Sequence, residues 1–474
     1  MTEQTLSTAD DEAIAGLIEN PADYVERPYR EIFHLTDNER ERFWIEVARR
    51  RFAELRDRLP MLKILADKQG IGAIETLDDL APLLFKLSVY NSYPLNWLEK
   101  SDFVKLTKWL GKLTTVDLSG VDITNVELIE EWFAALAEQT PLIMSYSTTT
   151  DGKMIFLPRT RDEWQLYWRG GQWRMEPFGE ERKSFRRLRP GVDRVPIFFP
   201  GPKGGNRPFN INLAIYEQVF GDGLVKAPSD YMDADLMSLA GRIQAASRNG
   251  EQGLLMVNPR LLARKDEVTA MREKGPAQYA AWVDSLINGH KGQRVWVLGT
   301  MSSVHALAVQ LLRDGTEAAF APDSMISVGS GFPDGEPAGW QEEVLKAFGI
   351  PAQNMTIDFG MGEMMSVATR CPHLNYHLPP TTIPFLLDVE TDELLPRIGE
   401  QTGRLAFFDL LPTTYWGGFV TGDKVTLKWD PCPCGRTGAH LGATIGKITE
   451  HGEKIGCAGS AQAHDEATEF LLEN

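Results

Sequence analysis

The strongest constraint on the fold is an alternation of strand and helix patterns in the second half of the chain. A buried-strand pattern over residues 294–299 (RVWVLG) precedes a helical pattern over 302–313, and a second such pair follows at 325–328 and 340–348. Strands that alternate with helices in this way form a largely parallel sheet, whose functional sites lie at the carboxyl ends of the strands. The sequence therefore predicts an α/β protein.

The N-terminal part of the chain carries helical patterns instead. Apolar residues of 38–59 recur at helical spacing, and Thr76 and Thr124 stand before two further helical runs, where a hydroxyl can cap a helix. Beyond residue 140 the patterns change. Residues 142–157 predict strand, loop and strand, and residues 164–189, which are rich in Trp, Arg and Gly, predict short strands with a basic loop.

From residue 383 onward, strand and turn patterns dominate. We therefore divide the chain into a helical N-terminal region at 1–140, a core at 141–436 and a short C-terminal segment at 437–474.

Composition narrows the class of protein. The chain has 474 residues, of which 43% are hydrophobic, and its net charge is −17. Such a chain can bury a large core, and its acidity argues against binding nucleic acid or an anionic membrane surface. It shows no apolar run long enough for a transmembrane helix, no secretory signal, and only four cysteines. We expect a cytoplasmic protein that acts on a small molecule.

A hydroxyl-rich loop follows the first strand pattern after residue 140. Residues 145–153 (SYSTTTDGK) contain five Ser and Thr hydroxyls, a glycine and a lysine. Backbone N–H groups, hydroxyls and a lysine can together neutralise a polyphosphate, although an exposed polar turn has the same composition. The choice between these readings depends on the other motifs in the chain.

Three further motifs follow in order. Residues 359–363 (FGMGE) come after a strand pattern, residues 421–423 (TGD) precede another, and residues 431–436 (PCPCGR) come shortly afterwards. With the hydroxyl-rich loop, this order resembles the adenylate-forming superfamily of acyl- and aryl-CoA ligases. The last motif is similar to two of its branches, the phenylacetate-CoA ligases and the LuxE-type acyl-protein synthetases. The resemblance implies their large α/β domain, with mixed and parallel sheets flanked by helices, and with ATP and Mg²⁺ as cofactors.

The resemblance also implies roles for individual residues. The phosphates of ATP would be bound by Ser147, Thr149, Thr150 and Lys153. The adenine would be bound by Gly329, Ser330, Gly331, Phe359 and Gly360. The ribose would be bound by Thr421 and Asp423. Glu363 would hold Mg²⁺, and a carboxylate oxygen suits that hard cation. Lys153 and Glu363 would then neutralise phosphate charge during catalysis.

The chain departs from the family pattern at three positions. Thr148 and Asp151 stand where the family usually has glycines, and Gly362 stands where it has a threonine. A side chain at either of the two usual glycine positions would narrow the phosphate loop, and Asp151 would also add a negative charge near the phosphates. These departures leave open a member of the family that binds a nucleotide or a protein partner without chemistry.

Three cysteines and a histidine have the spacing of a metal site. Cys371 and His377 form C-x₅-H, and Cys432 and Cys434 form C-x-C. Three thiolates and one imidazole make a closed, structural zinc site, and the phenylacetate-CoA ligase branch looks similar at these positions. His373 is a competing ligand, and the alternative is a set of buried free thiols.

The fourth cysteine, Cys457, lies near the end of the chain in a Gly-Cys-Ala-Gly context, with Lys454 and His451 close by in sequence. In LuxE-type synthetases the acyl group moves from the adenylate to a cysteine in such a context. CoA ligases carry a complete lid domain with a catalytic lysine after the Cys-Gly-Arg motif, whereas only residues 437–474 follow here.

We therefore expect ATP-dependent activation of a fatty or aromatic acid, transfer of the acyl group to Cys457, and a downstream reductase or acceptor protein. A CoA ligase with a reduced lid, and an incidental Cys457, are the alternatives.

Overall fold

The computed structural model describes residues 15–26, 35–148, 152–171, 188–250, 256–332 and 335–448. The helices used below are, in chain order, α1 Asp37–Leu55, α2 Pro60–Gln69, α3 Leu95–Glu99, α4 Phe103–Leu110, α5 Ile129–Gln139, α6 Arg161–Gly171, α7 Pro208–Phe220, α8 Ala234–Asn249, α9 Pro259–Leu262, α10 Lys265–His290, α11 Met301–Arg313 and α12 Trp340–Phe348. Short 3₁₀ turns lie at Pro21–Glu26, Leu77–Leu83, Leu87–Val89 and Ala352–Asn354. None of the described helices is both long enough and apolar enough to span a lipid bilayer.

The strands are, in the same order, β1 Phe85–Lys86, β2 Leu142–Thr148, β3 Met154–Thr160, β4 Ile197–Phe198, β5 Pro202–Gly205, β6 Val225–Lys226, β7 Ser229–Met232, β8 Trp296–Thr300, β9 Met325–Gly329, β10 Met355–Phe359, β11 Ala368–Arg370, β12 Tyr376–His377, β13 Thr382–Leu387, β14 Glu400–Asp409, β15 Gly418–Lys428 and β16 His440–Lys447.

One large mixed sheet organises the molecule. Its parallel part has the order β6-β4-β8-β9-β10, and beyond β10 it continues antiparallel as β11-β12-β16-β15-β14-β13, with β1 beside β15. The predicted alternation is confirmed as β8-α11-β9-α12-β10. The register pairs Thr300 with Gly329 and Gly329 with Asp358, so the carboxyl ends of β8, β9 and β10 meet at one edge.

The N-terminal helices pack on the antiparallel part of this sheet. The indole N–H of Trp44 on α1 donates to the Pro380 carbonyl over 2.6 Å, and Nε of Arg51 donates to the Leu410 carbonyl over 3.1 Å. Apolar residues from both regions belong to one hydrophobic core. The division of the chain at residue 140 stays a prediction, since the packing is continuous across it.

Local signals predicted some helix starts and missed others. The cap at Thr76 is confirmed, because its N–H donates to the Asp79 carboxylate over 2.7 Å at the start of the 3₁₀ turn Leu77–Leu83. The strand prediction for residues 164–189 is wrong over α6. There Thr160 and Glu163 cap the helix reciprocally, with 2.9 Å from the Thr160 N–H to the Glu163 carboxylate. Residues 172–187, which include most of the basic loop, lie outside the described residues.

The prediction that Thr124 caps a helix is also wrong, because α5 begins at Ile129. A buried carboxylate from another helix supplies the cap. Asp235, on α8, accepts the backbone N–H groups of Ile129 and Glu130 over 2.8 and 3.1 Å. Glu130 in turn accepts the N–H of Ala234 at the start of α8 over 2.6 Å. Two helix N-termini are thus capped by acids from each other's first turn.

This arrangement predicts a pH-dependent stability. Burial raises the pKa of Asp235 to about 7, against the lowering effect of its backbone hydrogen bonds. Above pH ~4 the carboxyl group of Asp235 keeps its proton in the folded state and has lost it in the unfolded state. The free energy of unfolding should therefore fall as pH rises from about 4 to about 7, by up to about 4 kcal/mol. Urea unfolding at pH 5 and 7.5 checks this, and Asp235→Asn should flatten the dependence. Asp117→Asn, at an exposed acid, is the control. An unchanged pH dependence in Asp235→Asn would contradict the assignment.

Candidate active site

Two of the motifs predicted to bind adenine lie side by side at the carboxyl edge of the parallel strands. The turn Gly329-Ser330-Gly331 follows β9, and Phe359-Gly360 follows β10 on the adjacent strand. A Cβ on Gly329 would come within 3.3 Å of the Asp358 carbonyl, so a larger residue there would push the two turns slightly apart. Ser330 holds a left-handed φ of 52° and is exposed. The edge therefore presents an exposed turn next to the carboxyl end of β10.

Glu363 lies at the end of the second motif and is buried, with 4% of its surface exposed. Burial raises the pKa of its carboxyl group, the positive charges of Arg159 and Lys447 act against this rise, and the negative charge of Asp423 adds to it. Among the described residues Glu363 forms no ion pair. A buried carboxylate with no cation of its own is a donor that suits Mg²⁺.

Asp423, of the Thr-Gly-Asp motif, lies on β15 and is 3% exposed. The hydroxyl of Thr421 donates to the Leu405 carbonyl over 2.8 Å and accepts the Asp423 N–H over 3.0 Å, which fixes the backbone of the motif. The carboxylate meets Nζ of Lys447 at 2.6 Å. The negative charge of Asp423 adds to the rise in the pKa of Glu363.

Lys447 was not predicted. It faces Asp423 because β16 pairs with β15 in a register that sets these two residues opposite each other. No local sequence signal fixes that register, since a bulge lies between Val425 and Leu427.

The hydroxyl-rich loop forms the tip of the β2–β3 hairpin. Ser147 lies on β2, and Thr149, Thr150 and Asp151 lie outside the described residues, as does the side chain of Thr148. Gly152 holds a φ of 80°, and a Cβ there would lie 3.0 Å from the Cα of Arg242 on α8. The glycine that this loop retains therefore allows the hairpin to pack against α8.

Lys153, the last residue of the loop, contacts residues outside the motifs. Its Nζ donates to the Asn91 carbonyl over 3.3 Å and lies 5.9 Å from the ring centre of Tyr93. The role of Lys153 toward phosphate stays a prediction.

The four predicted metal ligands come together. The sulfur atoms of Cys371 and Cys432 are 3.8 Å apart, Cys434 Sγ is 3.3 Å from His377 Nε2, and all four ligand atoms lie within 4.8 Å of one another. Zinc–sulfur bonds of about 2.3 Å in a tetrahedral site imply about 3.8 Å between two sulfur atoms. The donor set and its spacing therefore fit a closed tetrahedral site.

The structure also decides between the two candidate histidines. His377 is 2% exposed on β12, opposite His440 of β16, whereas His373 is exposed and outside the cluster. The alternative of unrelated free thiols gains no support from this clustering.

Polar neighbours support the cysteine cluster, and sequence analysis missed them. The Asn375 amide donates to Cys432 Sγ over 3.3 Å, and the ring of His440 stacks on His377 with centres 5.2 Å apart. Hydrogen bonds from Cys434 and His377 lower the pKa of the Cys371 thiol to about 3, and the shared proton raises the pKa of Cys434. A thiol with a lowered pKa gives up its proton to a metal ion more readily.

The predicted acyl acceptor, Cys457, lies outside the described residues together with His451 and Lys454. The last described residue before this segment nevertheless contacts one of the motifs. The N–H of Ile448 donates to the Gly422 carbonyl over 2.9 Å, inside the Thr-Gly-Asp motif. The segment that carries Cys457 therefore begins beside Asp423.

Comparison with solved structures establishes the fold. The chain is similar to 2-hydroxyisobutyryl-CoA ligase in complex with 2-HIB-AMP and CoA in the thioesterification state, with a TM-score of 0.51 and 14% identity over 89% of this chain and 70% of the ligase. It thus has the mixed α/β fold of the adenylate-forming enzymes.

A further match is an open conformation of the same ligase, with a TM-score of 0.49 and 14% identity over 87% of this chain and 70% of that chain. Another is ATP-bound MatB from Rhodopseudomonas palustris, with a TM-score of 0.33 and 14% identity over 64% of this chain and 50% of that chain. No protein-family model and no curated protein matches the chain.

Proposed function

We propose that this protein is a ligase that activates a carboxylic acid with ATP as an acyl-adenylate. The observation that carries the proposal is the buried carboxylate of Glu363, which forms no ion pair among the described residues and follows the paired turns after β9 and β10. The fold adds support, since the similar ligase holds an acyl-AMP. The more specific likeness to phenylacetate-CoA ligases and LuxE-type synthetases rests on the sequence motifs alone.

The chemistry explains why these residue types are needed. A carboxylate is a poor electrophile because its leaving group would be oxide. Attack of its oxygen on the α-phosphate of ATP forms the acyl-adenylate and releases pyrophosphate, and AMP then becomes the leaving group. Glu363 would hold Mg²⁺, which supplies neutralisation of phosphate charge, Asp423 would accept the ribose hydroxyls, and Lys153 would approach the phosphates.

We further propose that Cys457 accepts the acyl group. Its thiolate would attack the acyl carbonyl, forming a thioester and releasing AMP. The described part of the chain ends at Ile448, beside Gly422 of the Thr-Gly-Asp motif. Nine residues separate Ile448 from Cys457 and span at most about 30 Å when extended, which is long enough to reach an adenylate bound at that motif. A reductase or an acceptor protein would then consume the thioester.

Zinc is the metal we propose for the Cys371, His377, Cys432 and Cys434 cluster. Four protein ligands leave no open position for substrate, so the role is structural. The cluster joins β12 to the turn before β16, and β16 ends at Lys447 beside Asp423. The metal would therefore brace one side of the candidate active site.

A CoA ligase is the second candidate, because the structure with the similar fold contains CoA as well as an acyl-AMP. The substitutions at Thr148, Asp151 and Gly362 support a third, a homologue that binds a nucleotide or a protein without chemistry. These three functions differ in whether an adenylate forms and where the acyl group goes.

Hydroxylamine trapping separates these candidates. We expect the protein, ATP, Mg²⁺ and one class of fatty or aromatic acid to yield hydroxamate and pyrophosphate without CoA. Radiolabelled acid should become attached to the chain in the absence of CoA, and Cys457→Ala should abolish attachment while hydroxamate formation persists. The four proposed zinc ligands do not include Cys457, so Cys457→Ala leaves all four of them in place.

Attachment that requires CoA would favour the CoA ligase. Hydroxamate formation with none of a broad acid panel, by folded and zinc-loaded protein, would refute adenylation.

A further inference from the structure

The proposed chemistry assigns no role to Arg159, whose charged side chain is buried. Every residue of β3 is buried, and the exposed fraction of Arg159 is 0%. Burying a guanidinium costs several kcal/mol unless its charge and its donors are matched. Among the described residues it forms no ion pair. Its guanidinium carbon instead lies 4.9, 5.4 and 5.6 Å from the ring centres of Trp164, Tyr167 and Tyr415. Three aromatic faces therefore contact the cation, and the negative charge of Glu163 also acts on it.

The hydrogen bonds of this guanidinium lead to the candidate active site. Its Nε donates to the hydroxyl of Tyr415 over 2.9 Å, and its Nη2 donates to the carbonyl of Met364 over 2.9 Å. Met364 directly follows Glu363 in the chain. The buried cation therefore holds the peptide group between Met364 and Met365, one residue beyond the carboxylate that would bind Mg²⁺.

A second buried charge holds the same peptide group, whose carbonyl belongs to Met364 and whose N–H belongs to Met365. The N–H of Met365 donates to the Asp409 carboxylate over 2.8 Å. On the other side of Glu363, Gly360 and Gly362 lack side chains and leave the backbone free to choose among conformations. The position of Glu363 therefore depends on the two contacts that follow it.

The contact to Arg159 is itself rigidly supported. Glu163, on α6, accepts the N–H groups of Thr413 and Thr414 over 2.9 and 3.0 Å, directly before Tyr415. This fixes the segment whose tyrosine binds the guanidinium.

We infer that Arg159 is a positioning residue for Glu363, holding its loop in the conformation that binds a divalent cation. The inference deepens the proposed function and rests on it. Arg159 touches no reacting atom in this scheme and acts through the Met364 peptide.

The test compares Arg159→Met and Arg159→Lys with Arg40→Met. Arg40 serves as the control because it is also buried, donates to the Leu35 carbonyl and lies 5.9 Å from the ring centre of Trp44. It differs from Arg159 in forming an ion pair, with Asp37 over 2.8 Å. Two readouts are needed: the Mg²⁺ dependence of hydroxamate formation, and binding of Mn²⁺ with ATP followed by electron paramagnetic resonance.

We expect Arg159→Met to raise half-saturating Mg²⁺ and to weaken Mn²⁺ binding about tenfold or more, with less than about a twofold change in KM for the acid. Arg159→Lys should recover part of the loss, and Arg40→Met should match the wild type.

A folded Arg159→Met variant that loses kcat with unchanged Mg²⁺ and Mn²⁺ dependence would overturn the inference. If Arg159→Met does not fold, wild-type metal dependence in Arg159→Lys would overturn it equally. Wild-type protein that binds Mn²⁺ with ATP but makes no hydroxamate would refute the proposed function, and the Mn²⁺ comparison would still decide the role of Arg159.

Discussion

Glu363→Gln is expected to reduce acid-dependent pyrophosphate release by about a hundredfold or more, with a small change in KM for the acid. The two side chains have nearly the same shape, so the substitution removes the charge and keeps the packing. Loss of one preorganised electrostatic contact in a water-excluded site typically lowers kcat by about 10²–10³. Glu363 is 4% exposed, so bulk water cannot replace its carboxylate.

The control for this prediction is Asp235→Asn, which replaces a carboxyl group of similar burial that accepts hydrogen bonds from the start of α5. It should release pyrophosphate at close to the wild-type rate at a temperature where both variants are folded. Pyrophosphate release by folded Glu363→Gln within a few-fold of the wild type would remove Glu363 from the mechanism, and the proposal for Arg159 would fall with it.

The sequence predicted those parts of the site that lie in short motifs at the ends of adjacent strands. The turn at Gly329 and the motif ending at Glu363 follow β9 and β10, and the alternation of strands and helices alone requires their carboxyl ends to share an edge. The cysteine cluster was predictable for a similar reason, since the spacing of Cys432 and Cys434 fixes two ligands on one turn.

The contacts that sequence missed depend on pairings between distant segments. Arg159 and Met364 meet although about 200 positions separate them, and Lys447 meets Asp423 only through the β15–β16 register. A buried arginine has no signature in its own strand, because the surrounding apolar residues predict burial while the arginine predicts exposure. The start of α5 was missed for the same reason, since its cap comes from Asp235 on α8.

Cys432→Ser is expected to remove the metal and to lower the free energy of unfolding by roughly 4 kcal/mol or more. Cys432 is 3% exposed and lies 3.8 Å from Cys371 Sγ, so a serine hydroxyl there would be a poor ligand among buried sulfur atoms. Wild-type protein should contain about one zinc ion per chain by mass spectrometry, and Cys432→Ser close to none.

His373→Ala is the matched control for the metal prediction, because His373 lies in the turn between Cys371 and His377 and is exposed outside the cluster. It should keep its zinc and its unfolding midpoint. Zinc retained by Cys432→Ser, or lost from His373→Ala, would show that the four clustered side chains are not the ligand set. If Cys432→Ser loses zinc and stability as expected, its remaining adenylation at low temperature measures how far the cluster braces Asp423, because β16 connects the metal-binding turn to Lys447 at that carboxylate.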